Sequence, residues 1–352
     1  MKVTQTRTLM AILLLSQIVL SITPSATAQE EPVLRVVASI SPLAGIADEI
    51  GGNIVETLAL LPEGVEPHVF QITTGILDVA NSADLLILTG HFAWEEELAN
   101  QTGKPYITLE DFEEFGAELS PMPGGEINYA TAQEHEHNDN PHAYWLLPKN
   151  AIAIANATRD SLTVLSPSYS DYWQDMFNGF VHDVQGLQNL ISELDEVHSF
   201  SELQVVVTFP AEAYVAEAFG IDVVAVLHKG ENIFISGGEL LEVSSALMNG
   251  SIDLIFASDV SRLQAGGEFA IQLSQDTGSI LVWVRAVFFT GFSDYVATMT
   301  YNLGALNNGL EGTSPESVDG SLNLFLIMLA GILGILALVE GFVLFQRAKT
   351  DK

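Results

Sequence analysis

The chain has 352 residues, enough for two domains of ordinary size. It carries 45 Asp and Glu against 12 Lys and Arg, a formal net charge of −33, which argues against nucleic acid as a partner because phosphate binding needs basic patches. Cysteine is absent, so the chain has no disulfides, no thiolate metal ligands and no cysteine to carry a lipid anchor.

The N-terminus has the features of an export signal. Lys2 and Arg7 precede an apolar run from residue 9 to residue 22, and a small-residue site follows at residues 26–28. We expect a signal peptide over residues 1–28. The alternative is an uncleaved anchor, although the run is short for a membrane span.

Residues 29–160 alternate short β-rich runs with helical patterns, which predicts one α/β lobe with a parallel sheet. The predicted strands lie near residues 34–38, 55–60, 85–88 and 106–109. The predicted helices lie near residues 43–50, 74–81 and 95–100.

Two Pro-His pairs stand out in this lobe. His68 follows Pro67 in a turn beyond the second strand, and His142 follows Pro141 just ahead of a helix start. A proline holds the preceding backbone extended, and the carboxyl edge of an open α/β sheet is where ligands bind. The pattern therefore predicts that the two imidazoles face a common cleft.

The segment between the pairs, residues 116–140, has no hydrophobic period and contains several Pro and Gly residues, which predicts a mobile loop. Its His135, Glu136 and His137 combine imidazole and carboxylate donors that suit zinc, and we consider them a metal-capture loop. The alternative is an ordinary acidic, solvated loop.

A long amphipathic stretch separates this lobe from a second one. Apolar side chains recur at spacings of three and four from Tyr169 to Val197, which predicts a linker helix within residues 161–202. Residues 203–310 again alternate strands and helices. The strands are predicted near residues 204–208, 223–226, 254–256 and 280–284, and the helices near residues 211–219, 238–248, 268–277 and 293–307. The predicted fold is α/β, with two similar parallel-sheet lobes joined by one long helix.

The C-terminal end predicts a membrane anchor. Residues 311–320 are rich in Gly, Ser and acidic residues and form a tether, and the apolar run that follows is long enough to cross a bilayer. Arg347, Lys349 and Lys352 follow the run, so we expect a single transmembrane helix over residues 321–346 with its tail inside the cell and the lobes outside.

Several stretches together resemble a known family. Residues 37–43, 49–52, 61–68 and 141–151 match, in order and context, the zinc- and manganese-binding solute-binding proteins of ABC importers. The resemblance covers roughly residues 34–310. It implies a rigid helix between the lobes, capture of divalent zinc or manganese in the interlobe cleft, and delivery to the permease of an ABC importer. We expect a monomer.

The resemblance also implies a ligand set, of which this chain keeps only half. His68 and His142 match the first two metal ligands of the family by position. The third position, a histidine in the family, is Phe209 here, and the fourth, a carboxylate, is Arg285. Arginine is always charged and has no lone pair to offer, so it cannot coordinate a metal.

Two histidines alone make a poor zinc site, because structural zinc takes four protein ligands and catalytic zinc usually three. Glu212, one helical turn beyond Phe209, is the nearest replacement donor in the second lobe. His228 and Asp259 are weaker candidates there, and His91, after a strand of the first lobe, is a further one.

Two other classes of function compete with metal import. One is a degenerate family member that has altered or lost metal binding and acts as an accessory surface protein. The other is a metallohydrolase with Glu63 or Glu66 as general base. The sequence has no Gly-x-Ser-x-Gly elbow, no phosphate-binding glycine loop and no His-Glu-x-x-His helix, so we expect no enzymatic activity.

Overall fold

The computed structural model describes residues 33–123, 139–230, 233–288 and 294–312. The predicted signal peptide over residues 1–28, the His135, Glu136 and His137 loop and the predicted anchor over residues 321–346 lie outside these ranges. Within them, no helix combines the length and the apolar character needed to span a bilayer.

The N-terminal lobe is built on a four-stranded parallel sheet with the order β2-β1-β3-β4. Its strands are β1 (Leu34–Ala38), β2 (Val55–Ala59), β3 (Leu85–Ile87) and β4 (Tyr106–Ile107). Its helices are α1 (Ser41–Gly51), α2 (Thr74–Asn81), α3 (Ala93–Thr102) and α4 (Leu109–Glu114). The central β1 is fully buried at Val36, Val37 and Ala38, as expected for a parallel sheet covered on both faces.

The predicted strand at residues 106–109 is wrong in its second half. The strand ends at Ile107, and Thr108 caps helix α4, which the sequence pattern does not predict. The backbone N–H of Thr108 donates to Asp111 Oδ2 at 2.8 Å, an N-terminal capping interaction that satisfies a donor the strand would have used.

Two helices follow the first lobe, α5 (Pro148–Leu165) and α6 (Ser170–His198). Residues 161–165, predicted as the start of the linker, belong to α5. The linker itself is α6, and its buried positions are Trp173, Phe180, Val184, Leu187 and Ile191, which lie on the predicted apolar stripe. Ser199 ends the helix in the left-handed conformation at φ 52°.

The C-terminal lobe repeats the topology of the first. Its sheet is parallel with the order β10-β9-β5-β6, so that in both lobes the first strand lies between the second and the third. The strands are β5 (Gln204–Val207), β6 (Asp222–Val226), β9 (Leu254–Ser258) and β10 (Ile280–Val284), with a short antiparallel hairpin of β7 (His228–Gly230) and β8 (Ile233–Phe234). The helices are α7 (Pro210–Ala218), α8 (Gly237–Asn249), α9 (Ala265–Thr277) and α10 (Tyr295–Leu310). The prediction of two parallel α/β lobes and one long helix is confirmed.

The lobes are tied together by hydrogen bonds beside the cleft. Trp145 Nε1 donates to the Ala286 carbonyl at 2.9 Å, and the Tyr295 hydroxyl donates to the Leu146 carbonyl at 2.7 Å. All three of Trp145, Leu146 and Tyr295 are buried, and one hydrophobic core runs through both lobes. The carboxyl ends of the two sheets are therefore held in a fixed relation, which is where an open α/β sheet binds its ligands.

Candidate metal centre

Three histidines of the first lobe converge at this edge. One ligand atom from each of His68, His91 and His142 lies within 4.8 Å of the others. The ring centroids are 5.0 Å apart for His68 and His91, 5.6 Å for His68 and His142, and 4.4 Å for His91 and His142. The proximity of His68 and His142 is the one that the two Pro-His pairs predict, whereas His91 was only a further candidate.

His68 is oriented by its own turn. It lies in a short 3₁₀ turn, Pro67–Val69, and Nδ1 of its ring is 2.8 Å from Glu66 Oε1. The other carboxylate oxygen of Glu66 accepts from the Val69 backbone N–H at 3.0 Å. Trp94 Nε1 donates to the Pro67 carbonyl at 3.0 Å and so fixes the turn against α3. Because Nδ1 is used, Nε2 is left as the ligand atom.

His142 is oriented in the same way. Its Nδ1 is 3.0 Å from Asn140 Oδ1, which again leaves Nε2 for a metal. The next residue, Ala143, has φ 63°, a left-handed conformation that is rare for alanine and turns the chain sharply after the histidine. The Tyr144 hydroxyl donates to the Thr89 carbonyl at 2.9 Å, which links this turn to the loop that carries His91.

His91 follows β3 at the point where the sheet order reverses. Gly90 precedes it with φ 73°, a value that glycine adopts readily. The buried carboxylate of Glu95 accepts from the Thr89 backbone N–H at 2.8 Å, the Thr89 hydroxyl at 2.7 Å and the Phe92 backbone N–H at 3.2 Å. In the sequence, His91 is marked by a Gly-His pair directly after a strand. Whether this histidine lies near His68 and His142 depends on the order of the strands in the sheet.

We expect Glu95→Ala to weaken metal binding about 10- to 100-fold, the usual effect of losing a residue that positions a ligand. The substitution leaves the buried N–H groups of the His91 loop without their acceptor, and the loop shifts. Titration of Zn²⁺ into the purified variant measures the effect. The matched control is Glu96→Ala, an exposed neighbour on the same helix. Unchanged affinity in a folded Glu95→Ala protein would show that the carboxylate does not position His91.

Two histidines of the cluster, His91 and His142, are held in the neutral state. Burial, and to a lesser extent the charge of His68, lower the pKa of His91 to about 3 against the raising effect of Glu66. Burial, together with the charges of His91 and His68, also lowers the pKa of His142 well below its usual range. Burial acts to raise the pKa of Glu66, but its hydrogen bonds to His68 and Val69 and the charge of His68 together outweigh burial, and the pKa is lowered. Neutral imidazoles beside an ionised carboxylate are the form that binds a metal cation.

The spacing of the ring nitrogens fits a shared ion. His68 Nε2 and His91 Nε2 are 3.0 Å apart. Two nitrogens that each lie about 2.1 Å from a tetrahedral zinc ion are separated by about 3.4 Å, so an ion needs only a small outward movement of the rings. Three imidazoles leave one position of a tetrahedron for another donor.

The second lobe faces the cluster with an apolar ring. The Phe209 ring lies 5.1 Å from the His142 ring, edge to face, and 5.6 Å from the His228 ring on its other side. The ring of His228 is buried and stacks on Phe234 with centroids 4.4 Å apart. His228 is therefore separated from the cluster by Phe209.

The other candidate residues of the second lobe lie elsewhere. The Arg285 guanidinium carbon is 5.7 Å from the Tyr301 ring centroid and lines a separate cavity. Asp259 accepts from the backbone N–H groups of Ala286 at 3.0 Å and Phe288 at 2.8 Å. Glu212 is fully buried and accepts from the Phe209 backbone N–H at the start of α7. Within the described ranges, none of these three joins the histidine cluster.

The buried carboxyl of Glu212 makes the stability of the protein depend on pH. Burial raises its pKa from 4.5 to about 7, against the lowering effect of its hydrogen bonds to Ser258 and Phe209. Between pH 4.5 and 7 the folded protein thus keeps a proton that the unfolded chain has released. The free energy of unfolding therefore falls as pH rises through this window.

We compare the free energy of unfolding of Glu212→Gln with that of the wild type. The difference, variant minus wild type, should be larger at pH 8 than at pH 5 by up to about 3 kcal/mol. Urea unfolding at both pH values measures the difference, and comparison with Glu217→Gln, an exposed residue of the same helix, provides the control. The carboxyl of Glu49, whose pKa burial also raises to about 7, titrates in both proteins and cancels. A stability difference that is the same at both pH values would contradict the assignment.

This chain is similar to one protein family and to several of its members. The family described as zinc-uptake complex component A periplasmic, ZnuA, matches residues 36–309. The manganese-binding lipoprotein MntA of Halalkalibacterium halodurans is 23% identical over 295 residues, 81% of this chain and 91% of that protein. The zinc-binding lipoprotein AdcA of Streptococcus pneumoniae is 21% identical over 300 residues, 82% of this chain and 58% of that protein.

Solved structures agree on the fold. FpvC of Pseudomonas aeruginosa in complex with Mn²⁺ has a TM-score of 0.62 and 18% identity, over 80% of this chain and 100% of that chain. A zinc-bound deletion mutant of ZnuA has a TM-score of 0.62 and 17% identity, over 79% of this chain and 97% of that chain. Because the family match extends over most of the chain, this protein belongs to the ZnuA family of metal-binding components of ABC importers.

Proposed function

We propose that this chain is an extracellular solute-binding protein that captures a divalent transition metal with His68, His91 and His142 and delivers it to the permease of an ABC importer. The observation that carries the proposal is the convergence of three ligand atoms within 4.8 Å. The names of the relatives support the class of cargo, because they include manganese-binding and zinc-binding lipoproteins.

The donor set favours zinc over manganese as the cargo. Imidazole nitrogen suits zinc, whereas manganese prefers carboxylate and water oxygens. The side chains that hold the ligands support this choice. Glu66 and Asn140 engage Nδ1 of His68 and His142, so both rings have Nε2 as the atom that faces the ion.

Capture and release follow from the same geometry. His68 is the most exposed of the three ligands, with 34% of its side chain accessible, so the ion enters on its side of the cluster. His91 and His142, whose pKa values are lowered, need not lose a proton before binding. A centre with three protein ligands keeps one position for water or another small donor, and an exchangeable position assists transfer of the ion to the permease.

The chain ends complete the proposed arrangement. We propose a signal peptide at residues 1–28, lobes at residues 29–160 and 203–310, and a membrane anchor at residues 321–346 that takes the place of the lipid carried by the lipoprotein relatives. The absence of cysteine from the whole sequence favours a polypeptide anchor over a lipid. Protease added to intact cells tests the orientation, because it should remove the lobes and spare a C-terminal tag.

The alternative is a family member with altered or lost metal binding. Phe209 favours it, because the second lobe presents a ring without a donor atom to the cluster. Titration of Zn²⁺ and Mn²⁺ into metal-free protein distinguishes the two. One tightly bound ion per chain, together with reduced cellular metal uptake on deletion, supports import. A protein that takes up neither ion is the accessory form.

A further inference from the structure

A cavity lies at the carboxyl ends of β9 and β10, apart from the three histidines. Its volume is about 380 Å³, within the usual range for small-ligand sites. Glu63 and Gly64 of the N-terminal lobe form one side, and Arg262 and Arg285 of the C-terminal lobe form part of the other. The cavity is therefore an interlobe site at the edge of a parallel sheet.

The two arginines are unusual in this acidic protein. Arg35, Lys149, Arg159 and Lys229 each lie within ion-pair distance of a carboxylate. Of the Lys and Arg in the described part of the chain, only Lys104, Arg262 and Arg285 do not, and both arginines line this one cavity. Cations that are kept without a carboxylate at contact distance are available to an external anion.

Both guanidinium groups are held by aromatic rings. The Arg262 guanidinium carbon lies 4.0 Å from the Trp283 ring centroid, and that of Arg285 lies 5.7 Å from the Tyr301 ring centroid. The N–H groups of a guanidinium lie in its plane and form a fork for a carboxylate, and a ring against the face of the group leaves this fork available. The rings also restrict the motion of the arginines, which lowers the entropic cost of binding.

The remaining wall determines which anion fits. Trp283, Phe288 and Tyr301 line the cavity with aromatic surface. The carboxylate of Asp259, whose charge acts on Arg285, is occupied by the backbone N–H groups of Val260, Ala286 and Phe288. Glu63 on the opposite side disfavours a ligand with dense negative charge such as a phosphate. A carboxylate attached to an apolar or aromatic body matches both features.

We infer that this cavity binds a small organic carboxylate with an aromatic or apolar body, through the forks of Arg262 and Arg285. The site is independent of the proposed metal centre, because none of the three histidines lines it. A carboxylate bound here contacts residues of both lobes and so bridges them.

The test uses 4-fluorobenzoate as the probe and its neutral isostere 4-fluorobenzamide as the ligand control, with ¹⁹F NMR of the purified full-length protein. We expect saturable binding of the carboxylate only. Arg262→Gln and Arg285→Gln should each weaken it about tenfold or more, because a charge-assisted bidentate contact is lost. Lys104→Gln removes the same charge outside the cavity and should have no effect.

A second comparison separates this site from the metal centre. A variant with both His68→Ala and His142→Ala should bind 4-fluorobenzoate as the wild type does, since the carboxylate does not contact a metal there. Thermal melting confirms that each variant is folded. The inference is overturned if the amide binds as well as the acid, if Lys104→Gln weakens binding as much as the arginine variants, if the double histidine variant loses binding, or if the wild type binds neither probe.

Discussion

Replacing His142 by alanine is expected to lower the affinity for Zn²⁺ by about a hundredfold or more. A residue that merely orients a metal ligand costs about 10- to 100-fold when it is removed, and the loss of a ligand itself costs at least as much. The ring of His142 lies between its two partners and Phe209, so a truncated side chain leaves a gap that the apolar ring cannot fill with a donor. Calorimetric titration of metal-free protein measures the affinity and the stoichiometry.

His68→Ala and His91→Ala should have effects of the same order, because each removes one of three nitrogen donors. The control is His182→Ala on the linker helix, which removes an imidazole that is not part of the cluster. Far-ultraviolet circular dichroism establishes that the variants are folded. If His91→Ala binds Zn²⁺ as tightly as the wild type, the first lobe supplies only two ligands and the three-histidine centre is incorrect.

Phe209→His is expected to raise the affinity for Zn²⁺ by about tenfold or more. The Phe209 ring is 5.1 Å from that of His142, within the 4.4 to 5.6 Å that separate the rings of the cluster from one another. A histidine at this position therefore places a fourth imidazole beside His142 from the side of the second lobe, and four protein ligands complete a tetrahedral zinc site. The same calorimetric titration measures the gain.

Two comparisons make the result specific. Phe209→Leu keeps an apolar side chain without a donor and should leave the affinity unchanged. Arg285→Asp should also change it little. The resemblance to the family places Arg285 beside the ion, but its guanidinium lies against Tyr301, and the charges that shift the pKa of His91 and His142 come from the cluster and Glu66. Tighter binding in Arg285→Asp and none in Phe209→His would show that the fourth ligand position is at residue 285.

Much of the fold is predictable from local patterns. Burial of one face of a helix repeats every three or four residues, and the apolar stripe of α6 shows this period clearly. Buried parallel strands read as short apolar runs, so β1 (Leu34–Ala38) and β10 (Ile280–Val284) have their predicted bounds. The prediction of a strand at residues 106–109 was wrong in its second half, because Thr108 and Asp111 form a helix cap that ends the strand at Ile107.

Some residues of the candidate site are likewise predictable from the sequence, and others are decided only by the tertiary structure. Pro67-His68 and Pro141-His142 are recognisable in the sequence because a proline constrains the backbone locally. The inclusion of His91 depends on β3 lying next to β1, and the exclusion of Glu212 depends on its carboxylate reaching back to the Phe209 N–H. Arg285 turns to Tyr301 because an aromatic ring from α10 is available there. Local periodicity thus determines which segments form and which faces are buried. Only the packing of distant segments decides which side chains meet, because those contacts depend on strand order and rotamers that no short window of sequence contains.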